Sequence, residues 1–128
     1  MSYYASTTKG GAFEEVYANV VEGLKKEGFG VLTEIDVKET LKKKLDVDFR
    51  KYKILGACNP PYAYKALQTE NKIGVMLPCN VILQELEDGQ VEVATIDPVQ
   101  SMKAVDNPEL VTIAEEIRSK LQNVLQHL

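Results

Sequence analysis

Two cysteine–asparagine pairs are the residues in this sequence whose types most readily carry chemistry. Cys58-Asn59 stands directly before Pro60, and Cys79-Asn80 directly follows Pro78. Each pair falls at the end or the beginning of a predicted strand, where proteins often place sites. Cys58 is also predicted to precede a helix start, where free backbone N–H groups favour a thiolate. The pattern is typical of a reactive thiol pair for redox chemistry, sulfur transfer or a soft metal.

A structural interpretation of the same residues stays open. Free cysteine is among the most buried residue types, so Cys58 and Cys79 could simply pack in the core. The predicted hairpin places Asn80 opposite Asp97, and such a pair could orient a ligand or complete a turn. We predict a ligand-binding site at Cys58, Asn59, Cys79, Asn80 and Asp97, for a small anionic or thiol-reactive molecule. The sequence identifies no catalytic residue and no cofactor.

Composition excludes several classes of protein. The chain has 128 residues, a net charge of −4 and a single histidine, His127. An acidic chain lacks the basic face that nucleic-acid binding needs, and Lys42-Lys43-Lys44 is interpreted as a solvated helix face. Zinc-type Cys/His spacing, phosphate-binding glycine loops and nucleophile motifs are absent, so no metal site is predicted. Short apolar runs and a plain N-terminus predict a single domain (residues 1–128) in the cytoplasm, without a membrane span.

Hydrophobic periodicity predicts the element order β-α-β-α-β-α-β-β-α. Gly28 is expected to end the first helix in a left-handed cap, and the next strand to alternate Val31 and Thr33 on one face. The apolar run over 73–87 is predicted to be a strand interrupted at Pro78. Asp88-Gly89 predicts a two-residue hairpin turn.

The predicted hairpin pairs Leu86 with Val91 and Ile82 with Thr95, which makes both of its faces apolar near the base. We therefore expect helices to cover one face and a partner chain or a ligand to cover the other.

Four segments together resemble a known family. They are Gly56-Ala57-Cys58-Asn59-Pro60, Leu77-Pro78-Cys79-Asn80-Val81, Glu34-Ile35-Asp36-Val37 and Val105-Asp106-Asn107-Pro108. The sequence is similar along nearly its whole length to the family of domain of unknown function 302. Lys51 stands where the family would have proline, and Asp46 where it would have glycine.

The resemblance implies an α+β fold with an antiparallel sheet packed by helices, of the TATA-binding-protein-like β-α-β4-α type. It also implies a homodimer and no established activity. We predict a dimeric ligand-binding or accessory module with a pocket near the two Cys-Asn segments. One alternative is a thiol-dependent enzyme in sulfur or redox chemistry, and another is a structural or interaction module without a small ligand.

Overall fold

The computed structural model describes residues 2–128, which form one antiparallel sheet and the helices that pack on it. The five strands are β1 (Tyr4–Lys9), β2 (Gly30–Asp36), β3 (Tyr52–Cys58), β4 (Cys79–Glu85) and β5 (Val91–Ile96). They lie in the order β1-β5-β4-β3-β2, with every neighbouring pair antiparallel. The predicted α+β class, an antiparallel sheet packed by helices, is confirmed.

The helices are α1 (Phe13–Lys26), α2 (Val37–Leu45), α3 (Pro60–Thr69), α4 (Pro98–Ser101) and α5 (Glu109–Gln126). Short 3₁₀ segments cover Ile73–Met76 and Met102–Ala104. Without α2, α3, the four-residue α4 and these short segments, the order is β-α-β4-α, as the resemblance implies. Because β1 and β2 are opposite edges of the sheet, the chain crosses the sheet through α1.

The residues of α1 and the glycine that follows it explain why the helix forms and where it ends. Val16, Val20 and Leu24 recur at helical spacing and are buried. Gly28 has φ +86° and its N–H bonds to Lys25 O, while the Phe29 N–H bonds to Leu24 O. These two bonds are the Schellman arrangement that a left-handed glycine permits, so the predicted cap is confirmed.

One face of the sheet carries the main core. Leu55, Val81, Leu83, Val91 and Val93 are buried there together with the apolar stripes of α1 and α5. The opposite face, which we call the open face, carries Ile35, Ile54, Ile82, Ile96 and Tyr4 among its side chains, none of which is fully buried. The expectation that helices cover only one face is therefore met within residues 2–128.

The predicted register of the β4–β5 hairpin is wrong by one residue. Glu85 pairs with Val91 and Val81 with Thr95. The Leu86 N–H bonds to Gln90 O, so the loop has three residues, and Gly89 takes the left-handed position at φ +85°. A three-residue loop closed by a left-handed glycine is the next commonest hairpin connection after the two-residue turn.

Two further strand predictions are corrected. A bulge at Leu32 breaks the alternation of β2, so Val31 pairs with Ala57 while Thr33 pairs with Gly56, on opposite faces of β3. A β-bulge adds one unpaired residue and reverses the side-chain direction beyond it. The predicted strand over 73–87 begins only at Cys79, after a 3₁₀ turn and a cis Leu77–Pro78 peptide bond.

The α2 helix is locally capped and only weakly packed. The Asp36 carboxylate accepts a hydrogen bond from the Glu39 N–H at 3.0 Å, the N-cap that aspartate favours at a helix start. The helix ends at Asp46, a non-glycine residue in the left-handed region at φ +53°. Glycine occupies that region without the Cβ clash, which accounts for the glycine that the family resemblance implies there.

Candidate functional site

Three of the predicted site residues meet at one cavity of about 340 Å³. Cys58 ends β3, Asn59 follows it, and Cys79 begins the neighbouring antiparallel strand β4. Ala57 pairs directly with Cys79, so the Cys58 and Cys79 backbones are diagonal neighbours across this ladder. The fold thus brings together two Cys-Asn segments that are twenty-one residues apart in the sequence.

The rest of the cavity wall comes from elements spread along the chain. The 3₁₀ turn before β4, the helices α3 and α5 and the segment between β5 and α5 all contribute, and the side chains are predominantly apolar. The other lining residues are Phe29, Leu32, Ala57, Tyr62, Ala63, Ala66, Leu67, Gly74, Leu77, Pro78, Met102, Ile113, Ala114 and Ile117. None of the lining residues carries a charge. Leu32 and Leu67 are also 68% and 44% exposed, so they mark the mouth.

Asn59 does not cap α3 with its side chain, although asparagine favours that position. Pro60 and Pro61 occupy the first two helical positions and have no N–H, and the Tyr62 N–H bonds to the Asn59 backbone O at 3.1 Å. The Asn59 side-chain amide instead donates to Glu27 O at 3.1 Å, joining the start of α3 to the end of α1. Asn59 is only 7% exposed.

The same two prolines overturn the argument for an anionic ligand. That argument required free N–H groups at the start of α3, and Pro60 and Pro61 supply none. The Tyr62 and Ala63 N–H groups are both bonded to Asn59 O. The start of α3 therefore offers no free donor to an anion or to a Cys58 thiolate.

Both cysteines are free thiols, and the structure places them in different environments. Cys58 is half-buried and Cys79 is buried. Burial raises the pKa of the Cys79 thiol to about 11, with the nearby Cys58 as the second cause. Because a thiol with that pKa keeps its proton at neutral pH, Cys79 is not a nucleophile there.

Asn80 and Asp97 do not line this cavity. The side chain of Asp97 accepts hydrogen bonds from the Val99 and Gln100 N–H groups at 3.0 and 3.4 Å, and Arg118 Nε lies 3.3 Å from its other oxygen. Asp97 therefore performs the turn-capping role that was the alternative to ligand binding.

Asn80 lies on the open face, opposite Gly56 and not opposite Asp97. The one-residue change of hairpin register removes the predicted Asn80–Asp97 pair. Asn80 is exposed and lines a second concave region, of about 390 Å³, together with Tyr3, Tyr4 and Tyr52.

Sequence reasoning missed most of the cavity wall. Leu32 is the bulged residue of β2, and the predicted alternation of Val31 and Thr33 gave no sign of it. Leu67 is exposed at the mouth. Met102 and Ile113 lie far along the chain from either Cys-Asn segment and carry no signal of the cavity.

Residues 2–128 contain neither a membrane-spanning helix nor a cluster of metal-binding side chains. No helix there has the length and apolar character needed to cross a bilayer. No three His, Cys, Asp or Glu side chains in that range lie together as metal coordination by those residues would need.

Comparison with known proteins identifies the family. No protein with a curated description matches the chain. A crystal structure of an uncharacterized conserved protein DUF302 from Bacillus stearothermophilus is similar, with 28% sequence identity, a TM-score of 0.92 and coverage of 99% of this chain and 98% of that one. The family model described as domain of unknown function DUF302 matches residues 4–128. This protein therefore belongs to the DUF302 family.

Proposed function

We propose that the protein is a dimeric binding module that holds a small, largely apolar molecule in the cavity beside Cys58 and Cys79. The observation that carries this proposal is the cavity of about 340 Å³ with an almost wholly apolar wall. Small-molecule sites are typically pockets of about 300–1,000 Å³, lined by apolar side chains with a few polar groups. Asn59, the two thiols and the Tyr62 hydroxyl are the polar side-chain groups of the lining residues.

The lining of the cavity supports a binding role. Four other concave regions of the protein have similar volumes, but the wall of each includes charged residues, whereas this wall has none. Two alanines of α3, Ala63 and Ala66, face this space where larger side chains would fill it. An open mouth at Leu32 and Leu67 gives an apolar molecule a route from solvent.

The thiol-dependent enzyme has less support than the binding module. The raised pKa of Cys79 leaves only Cys58 as a potential thiolate, and α3 provides no free N–H group to stabilise one. No charged residue lines the cavity to act as a general acid or base. The structural module without a ligand is the conclusion if no apolar molecule binds.

The binding experiment uses N-phenyl-1-naphthylamine, an uncharged dye that becomes fluorescent when it leaves water. We expect saturable binding of one dye per chain. Ala63→Phe should lower the affinity about tenfold or more by filling the cavity, a change of about 1.4 kcal/mol. Ala18→Phe is the matched control, because Ala18 is an exposed residue of α1 that does not line the cavity.

A second variant protects the test against a misfolded Ala63→Phe protein. Leu67 is exposed at the mouth, so Leu67→Trp should fold normally and obstruct entry. Wild-type protein that binds no dye, or dye binding that Ala63→Phe and Leu67→Trp leave unchanged, would contradict the proposed function.

The proposed dimer uses the open face, and the proposed partner is a second copy of the chain. Ile35, Ile54, Ile82 and Ile96 form the apolar part of this face, which also carries the polar side chains of Asn80, Gln84 and Glu92. Five strands spaced by about 4.8 Å, each about 20 Å long, span roughly 500 Å² in projection. Side chains standing on the sheet enlarge its accessible surface toward the roughly 800 Å² per partner of a standard interface.

Light scattering at micromolar concentration tests the dimer. We expect a mass twice the 14.3 kDa of the chain. Ile82→Lys should give the monomer, because it puts an unpaired charge at the centre of the proposed interface. Leu45→Lys, which changes an exposed leucine of α2, is the control. A wild-type monomer would refute the dimer and leave the cavity proposal untouched.

The proposed location is the cytoplasm. Its reducing conditions would keep Cys58 and Cys79 in the thiol form in which the structure has them.

A further inference from the structure

The walls of the cavity disfavour a charged ligand. A carboxylate or phosphate that enters an apolar site loses its water, which is costly unless a cation or several donors replace that water. Lys65 and Lys120 lie with their Nζ atoms 5.6 and 5.9 Å from the centre of the Tyr62 ring, yet neither lines the cavity. The wall therefore has no charged partner for an anion or for a cation.

Asn59 supplies the cavity with a hydrogen-bond acceptor. Its Nδ2 is occupied by Glu27 O, and the side chain also lies against Gly28, whose added Cβ would be 3.2 Å from Nδ2. These contacts fix the position of the amide. Within residues 2–128 no group donates a hydrogen bond to its Oδ1, although the residue is 93% buried and lines the cavity.

No buried side-chain nitrogen or oxygen atom within residues 2–128 lacks a partner, so the unpaired Asn59 Oδ1 is accessible rather than sealed and can accept a hydrogen bond from a ligand. The Cys58 and Cys79 thiols are only weak donors and acceptors, so they add little to the polarity of the wall. The hydroxyl of Tyr62, the other polar side chain of the wall, is engaged with Glu116. The polar requirement of this site is thus one donor near Asn59, and the rest of the ligand has to satisfy an apolar surface.

We infer that the ligand of this cavity is an uncharged amphiphile, with an alkyl or aryl body and a hydroxyl or amide donor that bonds to Asn59 Oδ1. This inference rests on the proposed function and specifies its ligand class. The apolar body lies among the side chains of α3 and α5, and the exposed Leu32 and Leu67 admit it at the mouth.

Competition for the bound naphthylamine dye tests the ligand class with three compounds of similar size. They are 1-decanol, decanoate and methyl nonyl ether, which differ in charge and in the presence of a donor. At pH 8, 1-decanol should displace the dye at a concentration at least about tenfold below that of decanoate, since only decanoate is charged. It should also bind about fivefold tighter than methyl nonyl ether, the factor for one ordinary neutral hydrogen bond.

A pH series and one variant test separately the effect of ligand charge and the role of Asn59. The apparent affinity of decanoate should rise as pH falls from 8 to 5, because its neutral acid becomes populated near the usual carboxyl pKa. In Asn59→Leu the advantage of 1-decanol over methyl nonyl ether should disappear. Since this substitution also removes the bond to Glu27 O, the wild-type comparison of the three compounds stands as a test that needs no variant.

The outcomes separate this inference from the proposed function. Failure of the dye to bind overturns the proposed function itself. Dye binding with equal displacement by 1-decanol and decanoate at pH 8 overturns the uncharged class and leaves the binding module standing. Equal displacement by 1-decanol and methyl nonyl ether overturns the role of Asn59.

Discussion

Gly56 is the position where a single added methyl group should disturb both the sheet and the cavity. Gly56 lies in β3 between Thr33 of β2 and Asn80 of β4. A Cβ placed there would overlap Thr33 Oγ1 and would lie 2.7 Å from Pro78 Cγ. Pro78 is also part of the cavity wall. Gly56→Ala therefore requires the Thr33 side chain and the Pro78 ring to move.

Two opposing effects set the expected magnitude. Overpacking in a tightly packed site costs about 1–3 kcal/mol. Replacing glycine with alanine in a strand raises the free energy of unfolding by about 0.5–1 kcal/mol, because the chain with alanine loses less conformational entropy on folding. We expect Gly56→Ala to lower the free energy of unfolding by about 1–2 kcal/mol. It should also weaken dye binding through the displaced Pro78 ring.

Urea denaturation followed by circular dichroism measures this change. Gly30→Ala is the matched control: Gly30 is also a strand glycine, and a Cβ there would have no heavy atom within 4 Å. Gly30→Ala should leave stability unchanged or raise it slightly. Adding Thr33→Ala to Gly56→Ala should recover at least about 0.5 kcal/mol, since the two side chains are in contact. A Gly56→Ala protein as stable as the Gly30→Ala protein would refute the steric argument.

Three further predictions concern α2 and the cysteines. Asp46→Gly should raise the free energy of unfolding in urea by about 0.5–1 kcal/mol. At φ +53° glycine avoids the strain of a side chain, and the exposed ion pair between Asp46 and Lys42 that is lost contributes little. If Asp46→Ala is as stable as Asp46→Gly, this explanation is wrong. The folded pKa of the Cys79 thiol lies above its unfolded value of about 9, so the stability that the buried protonated thiol gives the fold is complete below pH 9 and is lost toward pH 11, by up to about 3 kcal/mol. In urea titrations, the free energy of unfolding of Cys79→Ala should therefore depend less on pH over this interval than that of the wild type. Identical slopes for the two proteins would oppose the assignment. A thiol reagent at pH 8 should modify half-buried Cys58 well before Cys79, as peptide mass spectrometry can measure, and equal rates would mean that Cys79 is accessible.

Local periodicity was sufficient for the order of the elements. The apolar stripe of α1, its glycine cap and the Asp36 cap of α2 are each determined by residues a few positions apart. Such signals operate within one or two turns of chain, so they can be recognised without knowing the fold. The α+β class follows from the same order.

The hairpin register needed information that the turn motif does not contain. Asp88-Gly89 supplies a left-handed glycine to a two-residue or a three-residue loop alike. In the structure the Asp88 carboxylate accepts the Gln90 N–H, and Leu86 pairs with Gln90. The difference of one residue moves Asn80 away from Asp97, so an error in the turn became an error in the site.

The cavity could be predicted only at its cysteine side. The Cys58 and Cys79 segments lie at strand ends, which is a sequence-level observation, and the sheet order then brings them together. The opposite wall contains Met102 and Ile117, and their approach depends on how α5 lies across the sheet. Packing between distant segments leaves no periodic trace in the chain, so it cannot be obtained from spacing.

Several local irregularities of the strands coincide at the corner of the sheet beside the cavity. β2 bulges at Leu32, β3 carries no side chain at Gly56, and β4 begins only after Pro78. Leu32 and Pro78 line the cavity, whereas Gly56 lies on the open face and meets the cavity only through its close approach to Pro78. Bulges occur preferentially beside functional sites. The bulge at Leu32 therefore agrees with the proposed binding function, and the dye experiment decides whether a molecule binds there.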